Sequence, residues 1–193
     1  TPWEDRPYVA LTPSNLGREL NLEITIIKNA KTVEYELTYL SKGLSRGVIG
    51  SVDVQDKSSI SKKLTLGSCS GKTCVYDEGV EGGTLTLKFR QGVQVRKFTS
   101  NFVLNKGLDK IATGDGNFQI EKVSTAKGVS TPLYVVMATI GLPQEKGSVL
   151  SEPYGVFSDN NNIPSAKVTL SLDKESTKAK LFSWDGKEWI REE

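Results

Sequence analysis

The stretch "LNLEITIIKNAKTVEYELTYL", residues 20–40, decides the fold class. In its first part Leu20, Leu22, Ile24 and Ile26 alternate with Asn21, Glu23 and Thr25. In its second part Val33, Tyr35, Leu37 and Tyr39 alternate with charged or hydroxylated residues. A period of two places every second side chain on one face of an extended strand, so both runs predict half-buried β-strands. "KNAKT" between them is short and polar, which predicts that the two runs form an antiparallel hairpin.

The same reading extends in both directions. "GVIGSVDV", "SISKKLTLG" and "TLTLKFRQGVQVRKF" continue the series toward the middle of the chain. After it come "NFQIEKV", "PLYVVMATIGLP", "PYGVFSD", "AKVTLSLD" and "AKLFSWDGKEWI", short runs bounded by Gly, Pro, Asp and Asn. The run Leu133–Ile140 is apolar on both faces and lies between Pro132 and Pro143, which predicts a central strand covered on two sides. In "KFRQGVQVRKF" a three-residue loop, Arg90-Gln91-Gly92, would set Phe89 opposite Val93 and Leu87 opposite Val95. It would leave Lys88 and Arg96 on the outer face and put Gly92 in the left-handed conformation.

No stretch carries a sustained helical period. The expected fold is therefore all-β, an antiparallel β-sandwich, with two immunoglobulin-like sandwiches in tandem as the finer expectation. Apolar periodicity fades in "NKGLDKIATGDGN", residues 105–117, so the expected modules are 1–106 and 107–193, with a single large sandwich as the alternative. The 193 residues suffice for either.

Composition excludes more than it identifies. The chain has no histidine, which removes His-based triads, His-ligated zinc and the usual neutral-pH proton shuttle. A net charge of +2 gives no concentrated basic surface for nucleic acid. No apolar run approaches the ~18 residues of a membrane-spanning helix. The opening residues "TPWEDRPYV" lack the basic and apolar regions of a secretory signal, as expected of a mature or trimmed chain. No cofactor or metal is expected.

Cys69 and Cys74 flank Ser70-Gly71-Lys72-Thr73, turn-type residues that predict a hairpin tip with the two cysteines facing each other. A zinc site would need two further thiolate or imidazole ligands, and the sequence has none. The spacing also differs from that of redox motifs with two intervening residues. A structural disulfide is expected, and with it an oxidising compartment, extracellular or at the cell surface.

At the C-terminus Asp185-Gly186 predicts a two-residue hairpin loop, with Phe182 opposite Trp189 and Leu181 opposite Ile190. Phe182, Trp184 and Trp189 would then share a face that is either core or a platform for a partner or a polysaccharide. At the other end Pro2, Pro7 and Pro13 bracket Tyr8, Val9, Ala10 and Leu11, which read as the first strand of the sandwich or as a strand added to a neighbour's sheet. Asp159, Asn160, Asn161 and Asn162, and more weakly Asp115-Gly116-Asn117, offer calcium-type oxygens without the ladder of a calcium loop, so both read as turns. The acidic pairs Glu4-Asp5, Asp77-Glu78 and Glu192-Glu193 and the basic set Lys88, Arg90, Arg96 and Lys97 read as solvated surface.

Taken together these features predict a non-enzymatic extracellular or cell-surface structural or assembly protein, such as a filament or surface-layer subunit. Its expected partners are copies of itself or other surface proteins. A glycan-binding module with the aromatic platform is the alternative.

Overall fold

The computed structural model describes residues 1–55, 57–122, 131–160, 165–172 and 176–192. In chain order the strands of the first half are β1 (Tyr8–Ser14), β2 (Glu19–Thr25), β3 (Thr32–Ser41), β4 (Leu44–Asp53), β5 (Ile60–Thr65), β6 (Gly67–Ser70), β7 (Thr73–Tyr76), β8 (Gly82–Gln91) and β9 (Gln94–Lys106). Those that follow are β10 (Ile111–Ala112), β11 (Phe118–Lys122), β12 (Leu133–Ala138), β13 (Tyr154–Ser158), β14 (Ala166–Leu170), β15 (Phe182–Trp184) and β16 (Trp189–Arg191). Among the described residues the only helical elements are single 3₁₀ turns at Trp3–Asp5 and Asn15–Gly17. The fold is all-β and every strand pairing among the described residues is antiparallel, as the alternation predicts.

A six-stranded sheet, β13-β12-β9-β8-β3-β4, forms the centre of the molecule. A three-stranded sheet, β1-β2-β5, faces it. Leu11, Leu20, Leu22, Ile24 and Leu64 from the small sheet meet Val33, Leu37, Leu85, Leu87, Phe89, Phe102 and Met137 from the large one in one apolar cluster. Burying each such side chain contributes about 1.5–3 kcal/mol, so this cluster is the main source of stability. A second small sheet, β10-β11-β14, shares a cluster with the opposite face of the β12 and β13 end, where Ile111, Phe118 and Ile120 meet Tyr134, Val136 and Val156.

β12 explains its own composition. Val135 and Met137 enter the first cluster, while Tyr134 and Val136 enter the second, so a strand apolar on both faces has a core on each. Pairing of β12 with β9 joins strands from either side of the Lys106 position in one sheet.

Three local expectations are corrected. β2 and β3 do not form a hairpin, because β2 pairs with β1 and β5 while β3 pairs with β4 and β8. The connection 26–31, which includes most of "KNAKT", instead crosses from one layer to the other, burying Ile27 and Ala30 and using positive φ at Ile26 (59°) and Asn29 (50°) to turn. Strands that face each other across a core carry the same alternation as hairpin partners, so periodicity does not separate the two cases.

In the β8-β9 hairpin the loop is Gly92-Val93, with Gln91 opposite Gln94, Phe89 opposite Arg96 and Leu87 opposite Phe98. Gly92 does take positive φ (59°), but as the first loop residue of a type II′ turn. Arg96 therefore lies on the core side, not on the outer face. Its guanidinium sits 5.7 Å over the Phe89 ring and donates to the carbonyl oxygens of Asp5, at 2.9 Å, and Lys28. A long cationic side chain that covers an aromatic ring while its head finds carbonyls satisfies an apolar-facing position.

The third correction concerns the C-terminal hairpin. Trp184 lies opposite Trp189 and Phe182 opposite Arg191, which leaves Asp185-Gly186-Lys187-Glu188 as the loop. Asp185 Oδ1 accepts from the backbone N–H groups of Lys187 and Glu188, each at 2.8 Å, and so stabilises the longer turn. These bonds hold the Asp185 carboxyl below its usual pKa.

Candidate interaction surfaces

The cysteines meet as expected. Cys69 is opposite Cys74 across β6 and β7, and their sulfurs are bonded at 2.05 Å. Gly71-Lys72 forms the tip of this exposed hairpin, and the bridge closes only the hairpin itself.

Tyr8, Val9, Ala10 and Leu11 all fall in β1, paired with β2 from Tyr8 opposite Thr25 to Ser14 opposite Glu19. Val9, Ala10 and Leu11 are buried. The far side of the strand's start is also held. Val9 N–H donates to Thr139 O at 3.0 Å, and Tyr8 bridges to Ile140. A side chain at Gly141 would lie 2.6 Å from Arg6 O, so glycine is what lets these two backbones touch. The N-terminal strand is thus engaged within its own chain.

Phe182, Trp184 and Trp189 do share a face, through the corrected register. Trp184 and Trp189 meet edge to face with ring centroids 5.4 Å apart. All three rings are half-buried. Lys146 Nζ lies 4.0 Å from the Phe182 ring centroid and 5.9 Å from that of Trp189. The position a stacked sugar would take is therefore shared with the chain's own ammonium group.

The remaining candidates resolve into turns and ion pairs. Asp159 Oδ1 accepts from Leu133 N–H, and Asn160 Oδ1 accepts from the Ser158 hydroxyl at 2.9 Å. Asn161 and Asn162 lie outside the described residues. Asp115 accepts from the hydroxyls of Thr113 (2.5 Å) and Tyr154 (2.6 Å) and from Asn117 N–H (3.0 Å), tying the β10-β11 turn to β13. Burial opposes ionisation of Asp115, but these donors outweigh it and its pKa falls. Among the described residues no three His, Cys, Asp or Glu side chains converge as metal ligands would.

Asp77 accepts from the buried Tyr39 hydroxyl at 2.8 Å and lies 3.8 Å from Arg46, while Glu78 pairs with Lys42 at 2.6 Å. Glu192 accepts from the Ser183 hydroxyl. Arg90 forms a two-pronged pair with Glu34, holding that carboxyl below its usual pKa. Lys88 and Lys97 stand opposite each other on the open outer face of the central sheet. The acidic and basic clusters are in these respects structural or solvated.

No protein-family model, curated protein or solved structure matches the chain.

The surface that sequence reading missed is the free edge of β4. Among the described residues this strand ends the six-stranded sheet, and it pairs with β3 without interruption from Ser41 opposite Leu44 to Thr32 opposite Asp53. The turn Lys42-Gly43, with φ of 49° and 79°, is a type I′ hairpin, so Ser41 and Leu44 form its first hydrogen-bonded pair. The alternation of an antiparallel ladder then turns the backbone N–H and C=O groups of Ser45, Gly47, Ile49 and Ser51 away from β3, toward the free edge. The Ile49 side chain is 78% exposed.

Three of the other edges carry shielding features. β1 contains Pro13, β5 carries Lys62 and Lys63, and β13 is only five residues long and follows Pro153. β4 spans ten residues and has no Pro, no Lys and no bulge. A signal was available in "GVIGSVDV". Val48, Gly50 and Val52 face inward, yet Ile49 supplies an apolar residue to the opposite, solvent side.

Proposed function

We propose that this chain is a non-enzymatic structural or assembly protein of the extracellular space or cell surface, which works by associating with copies of itself. The observation that carries this reading is the ten-residue edge β4, whose backbone groups have no strand beyond them among the described residues and whose Ile49 side chain is open to solvent. Sheet edges of this kind are normally blunted unless they are used. The Cys69–Cys74 bridge supports an oxidising compartment, because exposed disulfides are rarely maintained in reducing ones. The occupied aromatic face favours assembly over glycan binding, since a sugar stacking there would have to displace Lys146.

Light scattering and negative-stain microscopy of the protein across a concentration series test the proposal. Concentration-dependent oligomers are expected. A monomer at every concentration overturns it.

A further inference from the structure

The partner of β4 follows from the strand itself. We infer that two copies of this chain pair antiparallel through β4 about a twofold axis at Ile49, joining two six-stranded sheets into one. This rests on the assembly reading above and specifies its contact.

Register is constrained first by parity. The edge-facing backbone groups belong to the odd-numbered residues Ser45, Gly47, Ile49 and Ser51, so an odd residue must meet an odd residue if both strands are to use their free donors and acceptors. Placing the axis at Ile49 sets Ile49 against its copy, Gly47 against Ser51 and Ser45 against Asp53. Each opposed pair exchanges N–H and C=O bonds reciprocally. The two exposed Ile49 side chains then cover each other, whereas moving the axis by one residue would set each against Gly47 or Ser51 and leave it in water.

Charge agrees with this register. The strand holds one cation, Arg46, and one anion, Asp53. With the axis at Ile49, Arg46 meets Val52 and Asp53 meets Ser45, so no like charges oppose each other. Arg46 also lies 3.8 Å from its own Asp77, which limits its charge at the seam. The N-terminal strand does not compete for this edge, because Val9, Ala10 and Leu11 are buried within their own sheet. A twofold contact closes on itself, so the unit it builds is a dimer and any larger array grows from that unit through a second surface.

Sedimentation velocity on the full chain over a concentration series, for wild type and Ile49→Lys, tests the inference. Wild type is expected to dimerise reversibly, and the substitution, which sets two ammonium groups face to face on the axis, to weaken dimerisation about tenfold or more with an unchanged melting curve. Ile49→Cys should form an interchain disulfide on mild oxidation far faster than Val93→Cys, whose site is fully exposed at the β8-β9 tip. If the wild type associates but the Ile49→Lys variant associates equally well, or if crosslinking is no faster through position 49 than through 93, the β4 contact is overturned and the assembly reading stands. A wild type that stays monomeric throughout overturns both.

Discussion

Replacing Leu11 by alanine tests whether the N-terminal strand is truly part of the core. Leu11 is fully buried (0% exposed), stands opposite Leu22 on β2 and belongs to the same cluster as Leu85, Leu87 and Phe102. Truncation removes its transfer free energy and leaves a cavity between two sheets that are braced by hydrogen bonds on both sides, which places the cost within the usual ~2–5 kcal/mol for such changes. Taking about 3 kcal/mol, and about 2–4 °C per kcal/mol for a chain of this size, the melting midpoint should drop by roughly 6–12 °C. Leu16→Ala, two residues past the end of β1, is the control. Leu16 is 81% exposed, and its loss should change stability by less than about 0.5 kcal/mol. Thermal melts followed by circular dichroism, with a urea titration to obtain the free energy, measure both. If Leu11→Ala melts within about 2 °C of wild type, β1 is not seated on this core and its assignment to the β1-β2-β5 sheet is wrong.

Three further outcomes follow from separate features. Cys69→Ser with Cys74→Ser should cost about 2 kcal/mol on the chain-entropy relation for so short a loop, and should leave the β-sheet circular dichroism spectrum unchanged, because the bridge joins only β6 to β7; loss of folding in the double variant would show that it holds more. Burial raises the phenol pKa of Tyr8 to about 12, and burial together with hydrogen bonds to Asp77 and Asp115 raises those of Tyr39 and Tyr154. These groups stay neutral in the fold but ionise near ~10 once unfolded, so their stabilisation is complete below pH ~10 and is lost as pH rises toward the folded values. Melts from pH 8 to 11 should show the midpoint falling above about 10, less steeply in Tyr39→Phe with Tyr154→Phe; equal slopes would refute the assignment. Leu16 has φ of 58°, unfavourable for a branched side chain in solvent, so Leu16→Asn should raise stability by up to about 1 kcal/mol, and a lowered midpoint would count against that backbone geometry.

What could be read from the sequence was what depends on one strand and its own two faces. Alternation identified β2, β3 and β8, and the doubly apolar run identified β12 as a strand between two cores. The cysteine pairing was legible because its geometry is local to one hairpin. Pairings that depend on the third dimension were not. The "KNAKT" segment is as short as a hairpin loop, yet it spans the two layers. Matching apolar residues across the β8-β9 loop missed that a guanidinium can serve on the core side of Phe89 when backbone carbonyls lie within reach. At Asp185 the side chain's own hydrogen bonds favoured a four-residue loop over the two-residue form that Asp-Gly suggests, and yet the shared aromatic face survived. The β4 edge was hidden for another reason. Whether a strand lies inside a sheet or at its margin is set by what the rest of the chain places beside it.

The contact between β1 and the residues after β12 bears on how the chain is made. Synthesis delivers Val9 long before Thr139, so the first strand emerges with β2 to pair with but without the backbone that will hold its other side. β9 likewise waits for β12 to cover its far edge. A nascent chain that has not reached Leu133 leaves both margins of the central sheet, β4 and β9, unpaired; β12 then covers β9, while among the described residues β4 gains no partner. Fragments ending before that point should aggregate more readily than the whole chain, and β4, with Ile49 at its centre, is a margin that stays unpaired among the described residues of the folded chain.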